Sequence, residues 1–188
     1  MLRPADANEV VEAYRHIMQL RHRPAVLALS RQPLPTFDRS KYASARGVAR
    51  GAYVMADAGG GPPQAILIAS GSEVALAVDA HETLTAQGVR SRVVSMPSWD
   101  IFESQPQSYR DEVLPPRVTA RLAIEQGSVL GWDRYVGPEG RVIGMNTFGA
   151  SAPLKELQRK FGFEPERVVA AAMELLGRST SSSTDLTR

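Results

Sequence analysis

The sequence contains no cysteine, which excludes disulfides, thiolate metal centres and a cysteine nucleophile. It has no run of about 20 apolar residues, so no segment reads as a membrane-spanning helix. An excess of one charge is missing too: 22 Lys and Arg stand against 20 Asp and Glu, a net charge of +2. That balance is not the basic footprint of a nucleic-acid-binding protein. The opening MLRPADANEV has an early arginine but not the apolar stretch of a signal peptide. The expectation is a soluble cytoplasmic protein with neither membrane nor nucleic acid as partner. The glycine loops GxxxxGK(S/T) and GxGxxG are both absent. The three histidines are scattered; His16 and His22 lie six apart, which is no metal-ligand spacing on one helical face. Each of them, and His81, reads as a surface or internally satisfied residue. The acidic residues are dispersed, and no pair has a spacing that suggests acid/base work.

What is present suffices for a core. Of 188 residues, 43% are apolar, enough for one full domain and a piece of another. Residues 6–20 read as a helix. Asp6 is its N-cap, Glu9 completes a capping box, and Val10, Ala13, Tyr14 and Ile17 share one face. Pro24 ends that stretch. Ala25 to Leu29 form a short continuous apolar run, the pattern of a strand covered on both faces. Residues 32–50 carry prolines and charges without a period and read as an extended linker. Ala52–Met55 and Ala65–Ala69 are expected to be strands of a hairpin around Gly59–Gly61.

From Ala65 onward, strands and helices alternate. A helix opens at Ser70–Glu73, with Val74, Ala77, Val78 and Leu84 as its stripe and Gly88 beyond its end. Strands follow at 92–96, 119–125 and 142–145, with a short helical turn from Pro97 to Phe102. A helix begins at Ser151–Pro153, and a last one spans Val168–Leu176. The tail, 179–188, is rich in Ser and Thr and is expected to be disordered. Alternation of this kind predicts an α/β fold, a mostly parallel sheet between helical layers with one antiparallel strand.

Three places could carry chemistry. GSEVALA, between a strand and a helix, is either an anion-docking turn or an ordinary connection. Glu125 ends an apolar strand; it either lines a cleft or serves as a helix cap or ion-pair partner. Arg31 directly follows the apolar run at 25–29, and ligands of open parallel sheets sit beyond the carboxyl ends of strands. A guanidinium there can grip phosphate through two N–H donors; the alternative is a surface arginine at a strand end.

Eight segments then occur in one order: RPADANE, ALSRQPLP, GAYV, IASGSEVALA, RVVSMPSWDIFESQ, VTARLAIEQG, GWDRYVG and IGMNTFGASAP. Together, from Arg3 to Leu176, they resemble the C-terminal end of the transketolase family. The SRQ and FGASAP stretches are closer to transketolases than to deoxyxylulose-phosphate synthases or the β subunits of pyruvate-type dehydrogenases. The resemblance implies a thiamine-diphosphate and Mg2+ enzyme, a cytoplasmic homodimer. It would move a two-carbon ketol unit from a ketose phosphate to an aldose phosphate. It implies that 1–45 are the end of the pyrimidine-binding domain and the start of a linker. It also implies that 46–178 are the C-terminal domain, a three-layer sandwich with a five-stranded sheet.

By the same resemblance, Arg31 binds the sugar phosphate. No catalytic, cofactor-binding or metal-binding residue carries over, because the GDG…N motif is absent and the other family site residues would precede Met1. The chain alone is therefore expected to bind neither thiamine diphosphate nor Mg2+ and to be inactive. Alternatives are a non-catalytic assembly or regulatory module, or one subunit of a split enzyme. Without sheet neighbours, Ala25–Leu29 should be a bare edge.

Overall fold

The computed structural model describes residues 1–178; the expected disorder of 179–188 lies outside the described residues. Helix α1 (Ala7–Ile17) starts as its capping residues dictate. Asp6 accepts the Glu9 N–H at 2.8 Å, while the Glu9 carboxylate accepts the N–H of Ala5 rather than that of Asp6. After an extended stretch, Ala45–Arg50 form a 3₁₀ turn inside the segment expected to be linker. Then come β1 (Tyr53–Asp57), β2 (Ala65–Ala69), α2 (Glu73–Ala86), β3 (Ser91–Ser95), α3 (Trp99–Glu103) and α4 (Gln107–Val113). The chain ends with β4 (Arg121–Ser128), α5 (Asp133–Val136), β5 (Arg141–Met145), α6 (Leu154–Phe161) and α7 (Pro165–Leu175).

The five strands form one sheet in the order β1-β3-β2-β4-β5. All neighbours are parallel except β1, which runs antiparallel to β3 at the edge. The expected hairpin is therefore not formed: β1 and β2 lie on opposite sides of β3. The reason is burial. Every residue of β2 is buried, so it needs neighbours on both sides and helices on both faces, whereas β1 turns partly to solvent and suits an edge. The connection through Gly59–Gly61, Pro62 and Pro63 steps over β3, and it lacks the two-residue Asn-Gly type of turn that would close a hairpin.

Alternate residues of the strands feed two cores, one on each face. Leu67, Val93, Leu122 and Ile124 pack with α2, α7 and Ala13 of α1. Ile66, Ile68, Val94 and Ala123 pack with Phe102, Tyr109, Val113, Trp132 and Tyr135 from α3, α4 and α5. Three layers result. Helices α4 and α5 escape the sequence pattern because each is two turns or less, too short for a helical period to register. His81 is buried and bonds Ser91 Oγ at 2.7 Å through Nδ1, the internally satisfied histidine that was one of its two readings. Among the described residues, no helix is long and apolar enough to cross a membrane.

Ala25–Leu29 form no covered strand but the bare edge expected where sheet neighbours are missing. The run makes one parallel bridge, Leu2 to Leu27, through Leu2 N–H to Val26 O at 2.8 Å and Ala28 N–H to Leu2 O at 2.9 Å. Val26 and Leu29 are exposed, as are Val11, Tyr14 and Met18 on α1. The residue pattern is that of a strand buried on both faces, but no described element supplies a second neighbour or a covering layer.

Candidate functional site

Arg31 sits in the bend that follows this edge. Ser30 Oγ accepts the Gln32 N–H at 3.2 Å and turns the chain there. The Arg31 side chain is exposed and has no hydrogen-bond or ion-pair partner among the described residues. Its flanking residues Ser30 and Gln32 line a cleft of about 490 Å³, closed on its other walls by Ser72 of α2, Lys155 and Arg159 of α6, and Phe163. A free guanidinium beside a cleft can take a phosphate in a two-point, charge-assisted grip.

Two further polar constellations tie the first 39 residues to the sheet. In the first, Asp6 is wholly buried and accepts both hydrogen bonds of the Arg39 Nη2, each 2.9 Å, together with the Phe37 N–H at 3.0 Å. Beside it, buried Glu9 accepts from Ser95 Oγ at 2.6 Å and Tyr53 OH at 2.7 Å. Burial pushes the Glu9 carboxyl above its ordinary pKa, against the pull of those donors. In the second, Arg3 bonds Glu125 through Nη1 and Glu73 through Nη2, the latter at 3.2 Å. Burial lowers the Arg3 pKa, and the two carboxylates outweigh it and raise it.

Both readings of Glu125 therefore hold: it is an ion-pair partner and it lines a cavity. Glu73 is the first residue of α2, and the GSEVALA turn is a structural connection in which Gly71 adopts φ +59° and donates its N–H to Arg3 O at 3.0 Å. Sequence spacing could not have paired residues 70 and 122 positions apart.

Burial also sets a pH dependence. Desolvation raises Glu73 from 4.5 to about 7, with Ser72 and Arg3 opposing. The folded chain then holds this proton more tightly than the unfolded chain. The contribution is full below pH 4.5 and is lost as pH rises through about 7, on the order of 3 kcal/mol. Urea unfolding at pH 5 and pH 8 should show a smaller loss on raising the pH in Glu73→Gln than in the parent chain; equal losses would exclude Glu73 as the source.

Residues 51–164 match the sequence model of the transketolase-like TK C-terminal domain. The chain belongs to the transketolase family. It is 51% identical to the transketolase of Geobacillus stearothermophilus over 95% of its own length and 27% of that protein. Its fold matches a transketolase from Leishmania mexicana with a TM-score of 0.84 at 41% identity, over 94% of this chain and 25% of that one. At the level of fold alone, it also resembles a chain described as split gene transketolase, inactive beta4 tetramer: TM-score 0.73, 22% identity, 95% of this chain and 58% of that one. This chain thus spans about a quarter of the length of the curated transketolases it matches, and the domain matched is their C-terminal one. Those relatives are transferases by name.

The transketolase resemblance implies a divalent metal and thiamine diphosphate, and the described residues do not fit either group. No three His, Asp or Glu side chains converge on a point that could hold a metal ion, and no GDG segment is present in the sequence.

Proposed function

We propose that this chain is the C-terminal part of a cytoplasmic, homodimeric transketolase. It would move a two-carbon ketol unit from a ketose phosphate to an aldose phosphate once joined to the portion that holds thiamine diphosphate and Mg2+. The observation that carries this reading is 51% identity along 95% of the chain. On it, 1–45 are the end of the pyrimidine-binding domain and 46–178 the C-terminal domain. Thiamine diphosphate supplies carbon–carbon bond cleavage and formation in the completed enzyme; this chain's residues take part in neither.

Their work is at the far end of the substrate. Arg31 takes two phosphate oxygens in a planar fork and fixes where the sugar's carbonyl end lies. The exposed apolar residues Val11, Tyr14 and Met18, which line one shallow depression, and the exposed Val26 and Leu29 support the reading, since uncovered apolar surface of this kind marks where another part of a protein packs. The polar ties of Asp6, Glu9 and Arg3 hold the start of the chain in place, and the run before Arg31 hangs on it through the Leu2–Leu27 bridge.

A second reading, one subunit of a split enzyme, rests on the fold-level likeness to the split-gene chain. One experiment separates the readings. This chain replaces the corresponding C-terminal quarter of the Geobacillus stearothermophilus enzyme, and is also mixed as a separate polypeptide with the remaining three quarters. Ketol transfer by the fusion supports the first reading. Transfer by the mixture at the same rate supports the second. A folded, cofactor-loaded fusion without activity overturns both, as does turnover by this chain alone.

A further inference from the structure

The sheet has a topological switch. From β2 the chain crosses through α2 to β3 on one side, then returns through α3 and α4 to β4 on the other side of β2. In open α/β sheets the crevice at such a point, beyond the carboxyl ends of the strands, is where ligands bind. Here it holds a cavity of about 440 Å³, within the range of roughly 300–1,000 Å³ usual for small-molecule sites. Ser70 after β2, Met96 after β3, and Glu125, Gly127 and Ser128 at the end of β4 line it. Trp99 and Trp132, the two tryptophans of the sequence, form a wall, edge to face at 5.0 Å.

The polar groups of the cavity are specific. Glu125 is only 5% exposed. Its Oε2 is taken by Arg3, but its Oε1 has no hydrogen-bond partner among the described residues. A Cβ at Gly127 would stand 2.9 Å from that same Oε1, so glycine keeps the space beside it open. Oε1 is not among the buried unpartnered atoms of the described residues; it faces the cavity, where a ligand donor can reach it. Nη1 and Nη2 of Arg3 each hold a carboxylate, Glu125 and Glu73, so its charge is balanced within the chain. The other charged groups at the cavity are Asp100, which is exposed, and the amino terminus of Met1, paired with Asp100 at 3.0 Å.

We propose that this cavity binds a small organic cation, an ammonium carried on a hydrocarbon body. The nitrogen donates to Glu125 Oε1, and the body lies against Trp99 and Trp132. An ionised carboxylate accepts and does not donate, it repels anions, and the aromatic wall adds a cation–π attraction. Arg31 does not line this cavity, which meets the cleft beside Arg31 at Gln126; the proposal does not depend on the ketol-transfer reading.

Both tryptophans line the cavity, so their emission reports on it. Benzylammonium chloride, benzyl alcohol and inorganic phosphate are each titrated into the 188-residue chain at pH 8 and low salt. The expected result is a saturable emission change with benzylammonium and binding about tenfold or more weaker for the neutral, near-isosteric alcohol. In Glu125→Gln that preference disappears. Gly127→Val, which fills the space beside Oε1, weakens the cation with near-ultraviolet circular dichroism unchanged, and it serves alone should Glu125→Gln not fold. Equal binding of ammonium and alcohol, saturable binding of phosphate in their place, or no saturation by benzylammonium up to about 10 mM would each overturn the proposal.

Discussion

Asp6→Ala is expected to destabilise the chain by about 3–5 kcal/mol, the cost of breaking a buried ion pair from one side. The Asp6 side chain is fully buried and that of Arg39 is 17% exposed, so water cannot replace the lost partner well. Four donors lose this acceptor together: Arg39 Nη2, the Phe37 N–H, the Glu9 N–H that begins α1 and Asn8 Nδ2, while Arg39 keeps Ala43 O and Tyr53 OH through Nη1. The N-cap alone is worth about 1 kcal/mol, and the rest comes from the uncompensated charge. Against a stability of about 5–15 kcal/mol for a domain of this size, the midpoint of thermal unfolding should fall on the order of 10 °C. Asp6→Asn keeps an acceptor for the cap but not the charge, and should cost less. The double variant with Arg39→Ala should recover part of the loss, because the stranded cation is gone. A cost for Asp6→Ala below about 1 kcal/mol would mean that Arg39 finds other partners and that the tie between α1 and the sheet lies elsewhere.

This tie also shows where sequence reasoning stops. The Asp6 cap was legible because a cap and its N–H lie three residues apart, within the reach of local pattern. Its bond to Arg39 was not: the two are 33 positions apart, and Arg39 stands among charges in a segment without a period. The same holds for Arg3, which joins Glu73 and Glu125 only because β2 and β4 are neighbours in the sheet. Strand β2 was readable from its unbroken apolar run, yet its partner was misassigned. Such a run says that a strand is interior, not which strands flank it, and sequence proximity suggested β1. The run at 25–29 was readable in the same way as a covered strand, and there the pattern outran the described chain, which offers it a single bridge to Leu2. Arg31 was legible as a candidate because position after an apolar run is a local property. Its freedom from partners is not local, and only the fold displays it.

That freedom sets the expectation for Arg31→Ala. In the fused enzyme, kcat/KM for phosphorylated sugars should fall by about 30–150-fold, the equivalent of 2–3 kcal/mol for a lost charge-assisted contact. An exposed side chain without internal partners can be removed at little cost to folding, so the loss should be one of binding and not of stability. The phosphate lies at the opposite end of the sugar from the carbonyl. The grip is therefore the same in ground and transition states, and most of the loss should appear in KM with kcat little changed. Unphosphorylated ketoses have nothing for the fork to hold, and their kinetics should not move. Arg31→Lys keeps the charge and loses the two-point geometry, so it should fall between the parent and the alanine variant. Added salt should narrow the gap between parent and Arg31→Ala, because an exposed ion pair is screened. If phosphorylated and unphosphorylated sugars suffer equally, Arg31 shapes the active site without reading the phosphate.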